Sequence, residues 1–201
     1  TDVQVGEAGG EPMMTVARFE ATMELMPLLQ GQIRVVSMKL EKPRARVSAD
    51  EKGVVDWLQR GASAQTLDPD KVALADVQVS DGAVFYSDAR TGVSLTFEGV
   101  TASVEARSLA GPWRAAGTYL DSGKAVQFSF ATGRRLDDGT IRVKSDLTPS
   151  QWPVVISADG VLASDPEVGL SYAGTYGVTE VVEATGGEGA ISPGWRSEGT
   201  F

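Results

Sequence analysis

The chain of 201 residues contains neither histidine nor cysteine. Without an imidazole or a thiol there is no Ser/His or Cys/His nucleophile pair, no thiolate metal site and no disulfide. Catalysis would fall to carboxylates, lysine, tyrosine or serine. The acids in suggestive company are Asp68 with Asp70, Asp137 with Asp138, Asp159, and Asp165 with Glu167. Two carboxylates across a cleft serve glycoside hydrolysis, but each of these stands beside Gly or Pro, where aspartate ordinarily ties down a turn. Asp137-Asp138-Gly139 also lacks the run of oxygen ligands, spread over about a dozen residues, that a calcium loop needs. There is no phosphate-binding glycine loop, nucleophile elbow or dinucleotide fingerprint. The reading is a protein that is not an enzyme and needs no cofactor and no metal.

Flat aromatic side chains offer a second kind of chemistry, stacking against sugar rings. Trp57, Trp113, Trp152 and Trp195 lie in different segments, three of them next to Pro or Asp, and read as core or rim packing. Met13, Met14, Met23, Met26 and Met38 gather early in the chain. Methionine suits an irregular apolar surface as well as an ordinary core, and both readings stay open. With 18 basic and 27 acidic residues the net charge is −9, which argues against nucleic acid or anionic lipid surfaces as sequence-independent partners.

The elements that must carry these residues follow a period of two. Ala17, Phe19, Ala21, Met23 and Leu25 alternate with Arg18, Glu20, Thr22 and Glu24, the pattern of a strand with one wet face. Ile33 and Val35 continue the pattern, then the phase slips so that Val36, Met38 and Leu40 alternate with Ser37, Lys39 and Glu41; such a slip predicts a β-bulge. Similar alternation covers 45–49, 93–97, 100–106, 126–130 and 141–147. Asp81-Gly82, Ser122-Gly123, Asp138-Gly139 and Asp159-Gly160 punctuate these runs and read as hairpin turns, because Gly supplies positive φ cheaply. The 23 glycines, above the usual ~7%, fit a chain that turns often.

The expected fold is therefore mainly β: an antiparallel meander of about a dozen strands, forming a strongly curved sheet or groove or else a sandwich-like β fold. One or two short helices are expected, one of them over 54–59. Residues 13–182 form the domain, in blocks of about 13–60 and 71–182 joined by a loop, with flexible ends at 1–12 and 183–201. No apolar run is long enough to span a bilayer. The start at Thr1 reads as a piece cut from a longer protein, whose targeting segments are then unknown.

Several ordered motifs resemble the AsmA family. They begin with Ala17-Arg18-Phe19-Glu20, then Pro27-Leu28-Leu29-Gln30-Gly31 before a strand ending Leu40-Glu41-Lys42-Pro43. Gly53-Val54-Val55-Asp56-Trp57 follows, with Asp56 where the family has Asn. Gly82-Ala83-Val84-Phe85-Tyr86-Ser87-Asp88 and Leu109-Ala110-Gly111-Pro112-Trp113 leading to Gly117 complete a match across roughly 16–160. The resemblance implies the periplasmic portion of a bacterial protein anchored in the inner membrane. It also implies a kinship with bridge-like lipid-transfer proteins, whose curved sheets make a groove lined with apolar side chains. The implied role is phospholipid transport and outer-membrane biogenesis in the cell envelope, or protein targeting to the membrane, with no catalytic residues.

The residues are compatible with such a role. A two-tailed lipid carries roughly thirty methylenes, and at ~0.8 kcal/mol each, leaving them in water costs on the order of 20 kcal/mol. A carrier must therefore offer an unbroken apolar lining. The candidate groove lining, for binding phospholipid or another acyl-chain lipid, is Phe19, Met23, Leu25, Ile33, Val35, Met38, Leu40, Val126, Phe128, Phe130, Ile141 and Val143. The same alternation would serve the alternative, a filled β-sandwich acting as an interaction scaffold for other envelope proteins, for instance in assembling or targeting outer-membrane proteins. A third reading, a glycosidase, requires two of the acids on one cleft floor.

Overall fold

The computed structural model describes residues 3–5, 12–52, 68–136, 138–165, 169–181 and 196–200. The strands are β1 (Val3–Val5), β2 (Met14–Val16), β3 (Arg18–Met23), β4 (Ile33–Glu41), β5 (Arg44–Ala49), β6 (Val72–Asp88), β7 (Ser94–Ala106), β8 (Trp113–Asp121), β9 (Lys124–Thr132), β10 (Ile141–Pro149), β11 (Val154–Asp165), β12 (Gly169–Glu180) and β13 (Arg196–Thr200). All thirteen belong to one sheet, which is open and mostly antiparallel. The described strands thus form one layer rather than the two facing layers of a sandwich. The expected mainly-β class holds. The ends, expected to be flexible, each add a short strand: β1 pairs with β2, and β13 with β12.

From β6 to β13 each strand pairs antiparallel with the next, a meander as the alternation demands. The first block enters differently. β4 and β5 both run parallel to β6 and keep one register throughout, from Ile33 opposite Val72 to Ala49 opposite Asp88. They are one long strand interrupted at Lys42-Pro43, just as β2 and β3 are one strand interrupted at Ala17. A parallel neighbour cannot be reached through a tight turn. The link from β5 to β6, which includes the loop read as joining the two blocks, is the crossover that makes this junction.

Two lines of irregularity cross the sheet. The first passes through Val36, where Thr22 opposes Ser37 but Met23 opposes Val35. This is the bulge expected from the phase slip, and it is matched in β6 by a register shift between Leu74 and Val77. The second passes through Ala17, Lys42-Pro43, Asp81-Gly82 and Gly99. Lys42 and Asp81 have φ of 51° and 53°, and Gly99 has 58°. Backbone bonds bridge the break: Lys42 N–H donates to Ser80 O at 2.8 Å, and Ala83 N–H to Pro43 O at 2.8 Å. Asp81-Gly82 is therefore not a hairpin turn. The positive φ that the dipeptide permits is used at a bulge inside β6.

Ser122-Gly123 behaves as expected. Both residues have positive φ, 51° and 78°, the signature of a type I′ turn, and it closes the β8–β9 hairpin with Asp121 opposite Lys124. Asp138 lies in the β9–β10 loop and accepts from the Thr140 N–H at 2.9 Å. Asp159-Gly160 lies inside β11, another departure from the turn reading. There the glycine is needed for space, since a Cβ would sit 2.5 Å from Ala173 O and 2.6 Å from the Tyr172 ring.

Among the described residues, helix is confined to α1 (Leu25–Leu29) and a 3-10 turn over Pro69–Lys71. Leu25 therefore leaves the strand it was expected to continue. Pro27, which lacks an N–H and has a fixed φ, cannot extend a ladder but is tolerated in the first turn of a helix. The helix expected over 54–59 falls outside the described residues.

The seam between β7 and β8 gives a stability prediction. A Cβ on Gly117 would lie 2.7 Å from Ala102 Cα and collide with Thr101 O, whereas one on Gly177 would meet nothing nearer than 3.9 Å. Gly117→Ala should cost about 1–3 kcal/mol, as overpacking does, and Gly177→Ala should lie within about 0.5 kcal/mol of wild type. Urea unfolding of the two variants checks this.

Candidate functional site

Residues directly opposite one another in a sheet share a face, so the register decides which side chains stand together. Phe19 opposes Leu40, Leu40 opposes Val79, and Val79 opposes Ala102. The row continues through Gly117, Phe128, Leu147, Ile156 and Val178. It holds no charged or strongly polar side chain across nine strands. At ~4.8 Å per strand it is roughly 40 Å long, more than the ~30 Å hydrocarbon core of a bilayer.

A second row on the same face runs from Ala21 through Met38, Val77, Val104, Ala115 and Phe130. A third joins Met23, Val35, Leu74, Ala106 and Trp113, and Val143 lies on it farther along, opposite Thr132. Ile33 and Ile141 stand one step beyond. Val126, opposite Tyr119, extends the face at the other end. There Phe97 meets Tyr119 edge-to-face, ring centroids 5.1 Å apart, and Tyr119 lies 6.1 Å from Phe128. Burial, and then the charge of Asp121, push the Tyr119 phenol pKa up.

Eleven of the twelve expected lining residues are thus on one face. The exception is Leu25, which lies on α1 and is 68% exposed. The sequence reading omitted Val77, Val79, Leu147, Ile156 and Val178. The apolar spacing over 72–79, broken by one phase slip as in β4, was the signal for the first two.

The opposite face is polar along the same strands. Glu20, Lys39, Gln78, Ser103, Ala116 and Ser129 form one row, continued by Asp146 and Ser157. At Asp159 its charges are tied to each other. Arg142 donates to both Asp159 oxygens at 3.1 and 3.2 Å, and Lys144 Nζ lies 3.3 Å from Asp159 Oδ2. Long side chains standing over alanines and glycines leave clefts on this face, of about 840, 630 and 400 Å³.

No second layer of strands covers the apolar face among the described residues. It is still the drier of the two: over 113–119 of β8 and 141–147 of β10 the residues on this face are half-buried and those between them are exposed. Phe19, Phe130 and Tyr176 nonetheless keep about 40% of their surface in solvent. Exposed contiguous apolar surface on this scale ordinarily marks a place where something binds.

The acids considered for catalysis have structural partners. Asp68 accepts from the Asp70 N–H, and Arg134 donates to Asp70 at 2.9 Å. Asp138 and Asp159 are engaged as described, while Asp137 and Glu167, like the side chain of Asp165, lie outside the described residues. No group of three or more potential metal-ligating residues occurs among the described residues. Trp113 Nε1 donates to Leu109 O at 3.1 Å at the start of β8, and Trp152 is exposed in the β10–β11 turn. They stand at opposite ends of the strands and share no platform. Trp57 and Trp195 lie outside the described residues. No family model, curated protein or solved structure matches the chain.

Three aspartates set an acid limit. Burial raises the carboxyl pKa of Asp159, but Arg142 and Lys144 outweigh it and hold the group below the usual range. In Asp88 burial is likewise overcome, by hydrogen bonds from Thr91 and Arg90 and by the charge of Arg90. In Asp138 the Thr140 hydroxyl and N–H lower it. The unfolded chain then takes up these protons first, so the stabilisation is complete above about pH 4 and disappears as pH falls through the native values. The urea midpoint should fall below about pH 4, and Asp159→Asn should shallow that fall.

Proposed function

We propose that this chain is a non-catalytic periplasmic segment of an AsmA-like, inner-membrane-anchored protein, and that its apolar sheet face holds the acyl chains of a phospholipid on the way to the outer membrane. The observation that carries the reading is the unbroken apolar row from Phe19 to Val178, with Glu20, Lys39, Asp146 and Asp159 on the other face. A small-molecule enzyme needs a compact pocket with converging polar groups; a lipid chain needs length, continuity and dryness. The face is longer than an acyl chain and offers no polar group along its central row. The two bulge lines supply bending, since an extra residue kinks a strand and increases its twist. A sheet coiled towards its apolar side would shield a guest chain from water. The ordered motifs from Phe19 to Trp113 point the same way.

The test is lipid capture. Protein purified from a bacterial envelope should carry phospholipid detectable by mass spectrometry and take up fluorescent phospholipid from vesicles. Phe128→Glu should reduce uptake at least about tenfold, the effect of losing over 1.4 kcal/mol of apolar contact, while Ser129→Glu on the polar face should leave it unchanged. A folded protein that arrives lipid-free and acquires none from vesicles refutes the reading.

A further inference from the structure

The largest of the three clefts opens on the polar face at the first bulge line, with Leu74 and Ala106 of the third apolar row contributing to its wall. Its volume is about 840 Å³, within the range of small-molecule sites. Ala73 and Ala75 of β6 contribute no side chain long enough to fill it. Arg34 and Glu24 stand on one side, and Arg107, Arg114 and Glu105 on the other. Three guanidinium groups around two carboxylates reverse the local sign of a chain whose net charge is −9.

The carboxylates do not saturate the arginines. Arg34 lies 3.8 Å from Glu24, and Arg114 3.6 Å from Glu105, both too long for hydrogen bonds. Arg107 has no ion pair among the described residues. Each guanidinium carries five donors in a planar fork matched to phosphate oxygens. Exposed ion pairs of this length are weak and are readily exchanged for a better acceptor.

We propose that this cleft binds a phosphate ester through Arg34, Arg107 and Arg114. The oxygens accept from the guanidinium groups, and the remainder of the ligand rests over Ala73 and Ala75. The phosphate could belong to a lipid headgroup or to a soluble ester. The inference does not depend on lipid carriage by the other face.

The experiment is an NMR titration of the full chain, following the arginine side-chain NH signals, with glycerol 3-phosphate and separately with a short-chain phosphatidic acid below its micellar concentration. Glycerol 3-phosphate should shift the Arg34, Arg107 and Arg114 signals saturably, with affinity falling as salt rises. Combined Arg107→Ala and Arg114→Ala should weaken it about tenfold or more. Glu105→Gln, which removes a competing anion and no donor, should strengthen it. Tighter binding of the short-chain lipid, still lost in the arginine variant, assigns the phosphate to a headgroup; equal binding assigns it to a soluble ester. The proposal is overturned if neither probe gives saturable shifts to millimolar concentration, or if binding is the same in the double arginine variant while its spectrum remains folded.

Discussion

The structure depends on register. Side chains in a strand alternate with a period of two, so a slip of one residue carries a whole strand's apolar set to the wrong face. The apolar row exists only because the pairing stays in phase through nine strands. Even the bulges obey this constraint. Val35 and Met38 are three residues apart yet share a face, because Val36 is the extra residue; Leu74 and Val77 repeat the odd step in the neighbouring strand, and the parallel register of β4 with β6 passes through both unchanged. At the second line β4–β5 and β6 break together at Lys42-Pro43 and Asp81-Gly82, and Gly99 takes up the odd step in β7. Both irregular lines cross the sheet without moving the row to the other face.

Glycine supports the same register by letting strands and rings come close. Gly117 replaces a side chain in the middle of the row because β7 lies too near for a Cβ. Gly160 and Gly174 oppose each other beneath the Tyr172 ring, and Gly199 lies under Tyr176, whose Cζ would be 2.5 Å from a Cβ there. An aromatic laid over a cross-strand glycine restores the apolar contact that the glycine lacks. The face remains apolar where its sequence shows only Gly and Tyr.

Much of this was legible in the sequence and some was not, for physical reasons. Strict alternation gave away β3, β4, β9 and β10, and the broken phase at Val35-Val36 located a bulge. Local sequence carries no signal for a partner far away in the chain, so the parallel pairing of β4 and β5 with β6 was invisible. Asp81-Gly82 was misread because positive φ serves bulges as well as reversals, and Asp159-Gly160 because glycine also answers to crowding from a neighbouring strand. β12 gives a weaker signal, since Gly174 and Gly177 interrupt its alternation of Leu170, Tyr172, Tyr176 and Val178. The cleft bounded by Arg34, Arg107 and Arg114 draws on β4, β6, β7 and β8 and the turns beside them, and nothing in their spacing brings them together.

If the sheet carries lipid as proposed, one of its faces, and not the other, meets hydrocarbon. Because the chain has no native cysteine, a single introduced thiol can be labelled cleanly at adjacent positions of β9. Nitroxide labels on F128C and S129C, examined in lipid-loaded protein whose phospholipid carries a relaxation agent midway along its chain, read proximity to hydrocarbon at one-residue resolution. Strong relaxation enhancement is expected at 128 and little at 129, with the same alternation at 147 and 146 of β10. Equal enhancement at neighbouring positions, or enhancement confined to the polar-face labels, would contradict it.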